Sequence, residues 1–236
     1  MKKDMQPIPV KGINIYPYTS MEELANACYS EKKLFLSVNA EILMRSDNSV
    51  KTIFNEHIGY ADGIGAVKAI KQKGIKNAIR LPGCELWQEL VKKYGDQSTF
   101  YLCGSTSEVI EKVIQRLKKE YPLLSIVGYR NGFFKNEEEI NELEEELIEK
   151  KPDFVFIATG FPFQEKLMAR LWKKHAATYL SLGGSFDVYT GTVKRAPLFF
   201  QKLGLEWLYR LMKQPSRIKR QYVLFKFVWQ YYTHQL

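Results

Sequence analysis

The chain has 236 residues, 45% of them apolar and 14% aromatic, which is enough for one sizeable core and argues against a disordered chain. Its three cysteines, Cys28, Cys84 and Cys103, are odd in number and widely spaced; with no C-x-x-C pair they speak against a zinc knuckle or dithiol redox chemistry and fit a reducing compartment. The net charge of +9 is unevenly placed: from Lys194 onward nine Lys and Arg stand against one acid, Glu206, whereas residues 1–193 hold 26 basic and 25 acidic side chains.

The opening MKKDMQPIPVKG has no apolar run behind its lysines, so it does not read as a signal peptide. The first helical pattern covers Met21–Tyr29, and the first strand-length apolar run is Leu34–Val38. A short Ile58–Tyr60 segment leads to a helix over Ile64–Lys73. Strand-like Ala78–Leu81 precedes a helix over Glu85–Tyr94, and Thr99–Cys103 precedes one over Ser107–Glu120. Ser125–Gly128 is followed by an acidic helix over Glu137–Lys150, expected to bury Ile140, Leu143, Leu147 and Ile148 on one face. Phe154–Ala158, a helix over Gln164–His175, and Tyr179–Leu182 complete the series, and Pro122 and Pro152 punctuate two helix ends. Runs that are continuously apolar suit strands covered on both faces. Alternation of strand and helix predicts an α/β fold, an open, mainly parallel, Rossmann-like sheet with helices on both faces.

Beyond Pro197 the pattern changes to two aromatic-rich helical stretches split at Gln214-Pro215-Ser216, with Ser216 available to cap the second. Basic residues interleave with Trp207, Tyr209, Phe225, Phe227, Trp229, Tyr231 and Tyr232. That is the composition of a helix lying in a bilayer interface; the plainer reading packs Leu203, Leu205 and Leu208 against the domain. No stretch reaches eighteen uninterrupted apolar residues, so a spanning helix is not expected. The division expected is a core over 1–193 and a basic, membrane-docking helical appendage over 194–236.

Ligands of open parallel sheets bind beyond the carboxyl ends of the strands. Four polar segments follow apolar runs there: Ser37-Val38-Asn39-Ala40-Glu41, Tyr60-Ala61-Asp62-Gly63-Ile64-Gly65, Thr159-Gly160-Phe161-Pro162-Phe163-Gln164-Glu165 and Gly183-Gly184-Ser185-Phe186-Asp187. Glycine at such turns lets backbone amides approach a phosphate. Gly63-x-Gly65 lacks the third glycine of the dinucleotide fingerprint, Lys68 standing in its place, and no P-loop pattern occurs. Neither D-x-D nor H-x-x-x-H is present, so no dedicated metal site is expected and arginines must carry the charge of any leaving diphosphate. His57, His175 and His234 are scattered outside any motif. Asp62, at a glycine-flanked turn, suits a general base taking a proton from an attacking hydroxyl, or a cap on the helix beginning near Ile64. Asn39 and Asp187 divide in the same way between cap and ligand contact.

In order along the chain, V-N-A-E, Y-A-D-G-I-G, G-F-P-x-Q-E-K, G-G-S-F-D-V-Y-T-G-T-V-K-R-A-P and G-L-E-W-L-Y-R-L-x-x-Q-P-S-R-I-K-R resemble the WecG/TagA/CpsF glycosyltransferases, from about Asn39 to Arg220. The resemblance is nearest to the WecG type, which adds N-acetylmannosaminuronic acid in enterobacterial common antigen synthesis; TagA-type relatives add N-acetylmannosamine in teichoic acid linkage-unit synthesis. Both use a UDP donor and undecaprenyl-diphosphate-linked GlcNAc. Carried over, it implies Asp62 as catalytic base with Asn39 beside it in the acceptor pocket. Gly63, Gln164, Glu165, Gly183, Gly184 and Asp187 would shape the sugar and nucleotide site, and Arg210, Arg217 and Arg220 would reach the diphosphate from the appendage. Phe161 and Phe163 stand where the family pattern has Ser and Lys. The expectation is an inverting, metal-independent transferase with no cofactor, peripheral on the cytoplasmic face of the inner membrane, whose partners are a UDP-sugar, a lipid-linked acceptor and anionic lipid; a homo-oligomer is left open. The alternatives are a transferase with a different hexose donor, a nucleic-acid-binding α/β protein, against which the near-neutral core stands, and a nucleotide-sugar oxidoreductase or epimerase, against which the failed fingerprint stands.

Overall fold

Apolar runs without alternation must be covered on both faces, and the computed structural model, which describes residues 5–202, 206–213 and 218–236, buries them in this way. The eight strands are β1 (Ile8–Val10), β2 (Ile13–Tyr16), β3 (Leu34–Val38), β4 (Ile58–Ala61), β5 (Thr99–Gly104), β6 (Ser125–Arg130), β7 (Phe154–Ala158) and β8 (Thr178–Ser181). They form one sheet in the order β1-β2-β4-β3-β8-β7-β5-β6. Every neighbouring pair is parallel except the β1–β2 hairpin at one edge.

The period-2 alternation of strand side chains divides the core into two layers. Leu34, Leu36, Val38, Tyr101, Cys103, Val155 and Ile157 point to one face, where helices α2 (Ala40–Arg45), α3 (Asn48–Glu56), α4 (Ile64–Gln72), α7 (Glu137–Lys150), α8 (Phe163–Lys174) and α12 (Ile218–Tyr232) add their apolar sides. Phe35, Phe100, Leu102, Phe154 and Phe156 point to the other, covered by α1 (Met21–Ser30), α5 (Gly83–Tyr94), α6 (Ser107–Glu120) and α9 (Ser185–Tyr189). The expected α/β sheet with helices on both faces is therefore present.

Three expectations are corrected. Ala78–Leu81 is not a strand: β4 already pairs with β2 and β3 on its two sides, so no edge is free there. The segment is instead a connection in which Ala78 and Leu81 are buried and Ile79 is exposed, with Leu81 N–H donating to the Ala61 carbonyl at 2.8 Å. Ile148 is 45% exposed while Leu143 and Leu147 are buried, because the 100° helical step turns position 148 well away from their common face. Leu34–Val38 is the third strand, preceded by a hairpin whose turn residues Lys11 and Gly12 have φ of 53° and 78°, the left-handed pair of a tight two-residue turn.

The C-terminal region forms α10 (Leu198–Lys202), α11 (Glu206–Lys213) and α12. Gln214-Pro215-Ser216, Leu203 and Leu205 lie outside the described residues. Phe227 and Leu236 are buried in the same core layer as α2 and α4, and Gln72 Nε2 donates to the Tyr231 carbonyl at 2.8 Å. The outward side of α12 carries Tyr222, Phe225, Val228, Trp229 and Tyr232, each half exposed or more. No helix among the described residues is long and apolar enough to cross a membrane.

Candidate active site at the carboxyl edge of the sheet

Strands β3 and β4 are hydrogen-bonded neighbours, so the turns that leave them must lie side by side. Asp62 N–H and Gly63 N–H both donate to the Val38 carbonyl, at 3.0 and 3.1 Å. A Cβ on Gly63 would fall 2.7 Å from Asn39 Cβ and 3.1 Å from Asn39 Cα, contacts that a side chain cannot make. Glycine is thus what allows the Asp62 and Asn39 turns to meet. Asn39 Oδ1 caps α2 through the Ile42 N–H at 3.0 Å, which leaves the amide nitrogen as the end able to donate outward.

The carboxylate of Asp62 does cap a helix, but not the one anticipated. The N-cap of α4 is Gly63, which makes no side-chain cap bond. Asp62 Oδ1 instead accepts from Gly83 N–H at the start of α5, 2.9 Å, where the positive end of a twelve-residue helix favours negative charge. Tyr60 lies beneath: its hydroxyl is buried without a partner among the described residues, and burial together with the Asp62 charge keeps it protonated far above the ordinary phenol range.

Arg80 was not singled out in the sequence because it stands within Ala78–Leu81, read there as strand. Its Nε donates to the Asp62 carbonyl at 2.8 Å, and its guanidinium pairs with Glu206 on α11. Arg195 reaches the same Glu206 at 3.5 Å and Glu85 at 2.6 Å. The turn bearing Asp62 is therefore tied to the C-terminal region through Arg80 and its pair with Glu206, and the start of α5 through the Arg195–Glu85 pair. Position 210 follows Glu206 by one turn of α11, and position 220 lies in the first turn of α12. Arg217 lies outside the described residues.

The third and fourth segments meet in the same layer. Gln164 is 3% exposed; its Oε1 accepts from Gly160 N–H at 3.2 Å and Gly183 N–H at 3.0 Å, joining the turns after β7 and β8. Gly160 and Gly183 have φ of 88° and 53°, which favours glycine. Gly184 has φ of −94° and nothing within 4 Å of an added Cβ, so neither conformation nor packing accounts for it. Gln164 Nε2 donates to Glu165 Oε1 at 2.9 Å. Glu165 is 0% exposed and meets the turns after β7 and β8 through Gln164. Desolvation pushes its carboxyl up to about 7. Asp187 caps nothing; its Oδ1 accepts from Ser105 Oγ at 3.0 Å, linking the ends of β8 and β5.

Six buried side-chain polar atoms have no partner among the described residues, and four of them, on Tyr60, Arg130, Thr159 and Glu165, belong to this edge. Orphaned buried groups are rare in folded proteins and gather where function demands them. No group of three or more His, Cys, Asp or Glu able to hold a metal occurs among the described residues. The structure therefore brings Asn39, Asp62, Gly63, Gln164, Glu165, Gly183, Gly184 and Asp187 to one edge and adds Arg80, Arg195 and Glu206 to it.

A carboxylate on a glycine turn, further glycine turns beside it and two arginines, Arg80 and Arg195, paired with Glu206 thus stand together at the carboxyl edge of the sheet. The sequence profile of the Glycosyl transferase WecG/TagA/CpsF family matches residues 8–236, nearly the whole chain, and the protein belongs to that family and is a glycosyltransferase.

Proposed function

We propose that the enzyme moves an N-acetylmannosamine-type sugar, N-acetylmannosaminuronic acid or N-acetylmannosamine, from a UDP donor to undecaprenyl-diphosphate-linked GlcNAc, with inversion and without a metal. The family points to cell-surface polysaccharide synthesis, and the finer reading rests on the resemblance to the WecG type. The observation that carries the mechanism is the contact of the Asp62 and Asn39 turns across Gly63. Asp62 takes the proton of the acceptor hydroxyl as its oxygen bonds to the anomeric carbon and the bond to the diphosphate breaks. Gly83 N–H holds one carboxylate oxygen in place. The Asn39 amide orients the acceptor, and Asp187 meets a ribose hydroxyl. The bare backbone at Gly183 and Gly184 receives the diphosphate, whose charge is met by Arg210, Arg217 and Arg220.

A different hexose donor is the second reading. It is favoured by Phe163, 41% exposed on the first turn of α8 where the family pattern carries a lysine.

Asp62→Asn tests the mechanism, since it keeps the shape and removes the base. Turnover should fall about 10²–10⁴-fold while UDP binding is unchanged, and EDTA should leave the wild-type rate within about twofold. A variant keeping more than about a tenth of wild-type activity shows that Asp62 is not the base. Strict dependence on added Mn²⁺ or Mg²⁺ overturns the assignment of the diphosphate charge to arginines.

A further inference from the structure

Lys11, Ser105, Lys151 and His234 are the non-glycine residues with positive φ among those described. Three of them stand where a left-handed residue closes a turn: Lys11 in the β1–β2 hairpin, Lys151 at the end of α7 and His234 just after α12. Ser105, at φ 54°, stands instead between the end of β5 and Thr106, the N-cap of α6. The left-handed region disfavours any side chain, and serine is not one of the residues that visit it readily. We propose that Ser105 is a positioning residue for donor binding, its hydroxyl fixing the Asp187 carboxylate so that the second carboxylate oxygen accepts from a ribose hydroxyl. The proposal rests on the reading of Asp187 as the ribose contact of a nucleotide-sugar donor.

The backbone at Ser105 is pinned on both sides. A Cβ on Gly104 would lie 2.5 Å from Ala158 Cβ and 2.6 Å from the Ala158 carbonyl oxygen, so the end of β5 is pressed against the end of β7. Ser105 N–H donates to that carbonyl at 3.1 Å, and the Ser105 carbonyl accepts from Gly132 N–H at 2.8 Å. Three polar groups of one residue thus reach three other turns: N–H to the turn after β7, carbonyl to the turn after β6, and hydroxyl to α9, which follows β8.

Glycine would make both backbone bonds equally well and would take this φ without steric cost. What serine adds is the hydroxyl, whose Oγ donates to Asp187 Oδ1 at 3.0 Å across 82 positions. Asp187 is half-buried in the first turn of α9, and Ser105 is the one side-chain partner of its carboxylate among the described residues. A carboxylate held by one oxygen from a rigid turn keeps the other free for a ligand in a single orientation, which removes the ordering that binding would otherwise require. An unfavourable backbone conformation kept at a ligand edge, with a side chain that uses it, is the pattern of strain retained for function.

Calorimetric titration of the full chain with UDP and with 2′,3′-dideoxy-UDP, which lacks both ribose hydroxyls, tests this. Wild type should bind UDP about 10–100-fold more tightly than the dideoxy analogue, the worth of a hydrogen bond to a charged group. Ser105→Ala and Ser105→Gly should each shrink that ratio about 2–10-fold. Their stabilities should differ: the Gly variant should melt about 1–4 °C above the Ala variant, because only alanine keeps a Cβ at this φ. Equal loss of ribose discrimination at unequal stability assigns the effect to the hydroxyl and not to the fold. If both variants keep the wild-type ratio while Asp187→Ala abolishes it, or if the Ala variant alone loses it, Ser105 does not position Asp187 and the functional reading stands. If wild type binds the two ligands equally or binds neither, the reading of Asp187 as the ribose contact fails and this proposal fails with it.

Discussion

Glu165 gives one carboxylate oxygen to the Gln164 amide and leaves the other without a partner among the described residues, at 0% exposure. Burial raises this carboxyl to about 7 from an ordinary value of 4.5, so between those values the folded state holds a proton that the unfolded chain has released. Stability must therefore fall as pH rises through that window, by on the order of 3 kcal/mol for this one group. Glu165→Gln has no such proton. Denaturant unfolding at pH 4.5 and pH 8 should show a smaller difference between the two pH values in the variant than in wild type. Equal differences would mean that Glu165 is ionised in the folded protein. At this scale much of the site was legible, because Asn39, Asp62, Gln164 and Asp187 follow apolar runs and carry polar groups into glycine turns. Arg80, Arg195 and Glu206 were not legible as site residues: their pairings span up to 126 positions, and no local spacing records such a contact.

The turns after β3 and β4 fit together only because position 63 has no side chain. Gly63→Ala should press on the backbone of Asn39, cost about 1–3 kcal/mol of stability as overpacking does, and lower turnover by as much as about 10²-fold through misplacement of Asn39 and Asp62. Thermal unfolding and initial rates measured together check both, and a variant with wild-type values of each would show that the two turns need not touch. The central strands were readable as elements because burial on both faces makes them continuously apolar. The β1–β2 hairpin was not, since three- and four-residue strands are too short to show periodicity. The six-residue α2 was likewise too brief to stand out. Ala78–Leu81 misled because a connection that buries its two ends, Ala78 and Leu81, can be as apolar as a short strand; only the partners of β4 tell them apart.

Nearly all the excess charge lies beyond Val193, and in the folded molecule this region meets the core on one side and water on the other. Phe227 and Leu236 are buried, while Tyr222, Phe225, Trp229 and Tyr232 lie outward on α12, where Lys226 is also exposed. On the proposed reading this surface rests on anionic lipid at the cytoplasmic face, each basic residue near the bilayer contributing about 1 kcal/mol. The chain should sediment with anionic vesicles, release as salt shortens the Debye length, and bind less after Phe225→Ser with Trp229→Ser. Binding that ignores both salt and these substitutions would place the docking surface elsewhere. The division of charge was visible in the sequence, whereas the burial of Phe227 against Gly65 was not, because the same aromatic-rich composition serves a lipid-facing and a core-facing side. The central claim, transfer of an N-acetylmannosamine-type sugar from UDP to a lipid-linked GlcNAc, is tested most directly by mass spectrometry of a short-chain polyprenyl-diphosphate-GlcNAc incubated with the whole protein and a panel of UDP-sugars. The account predicts a product heavier by one N-acetylmannosamine or N-acetylmannosaminuronic acid residue, with one UDP released per transfer. No product from either donor, or product only from a different hexose donor, would contradict it.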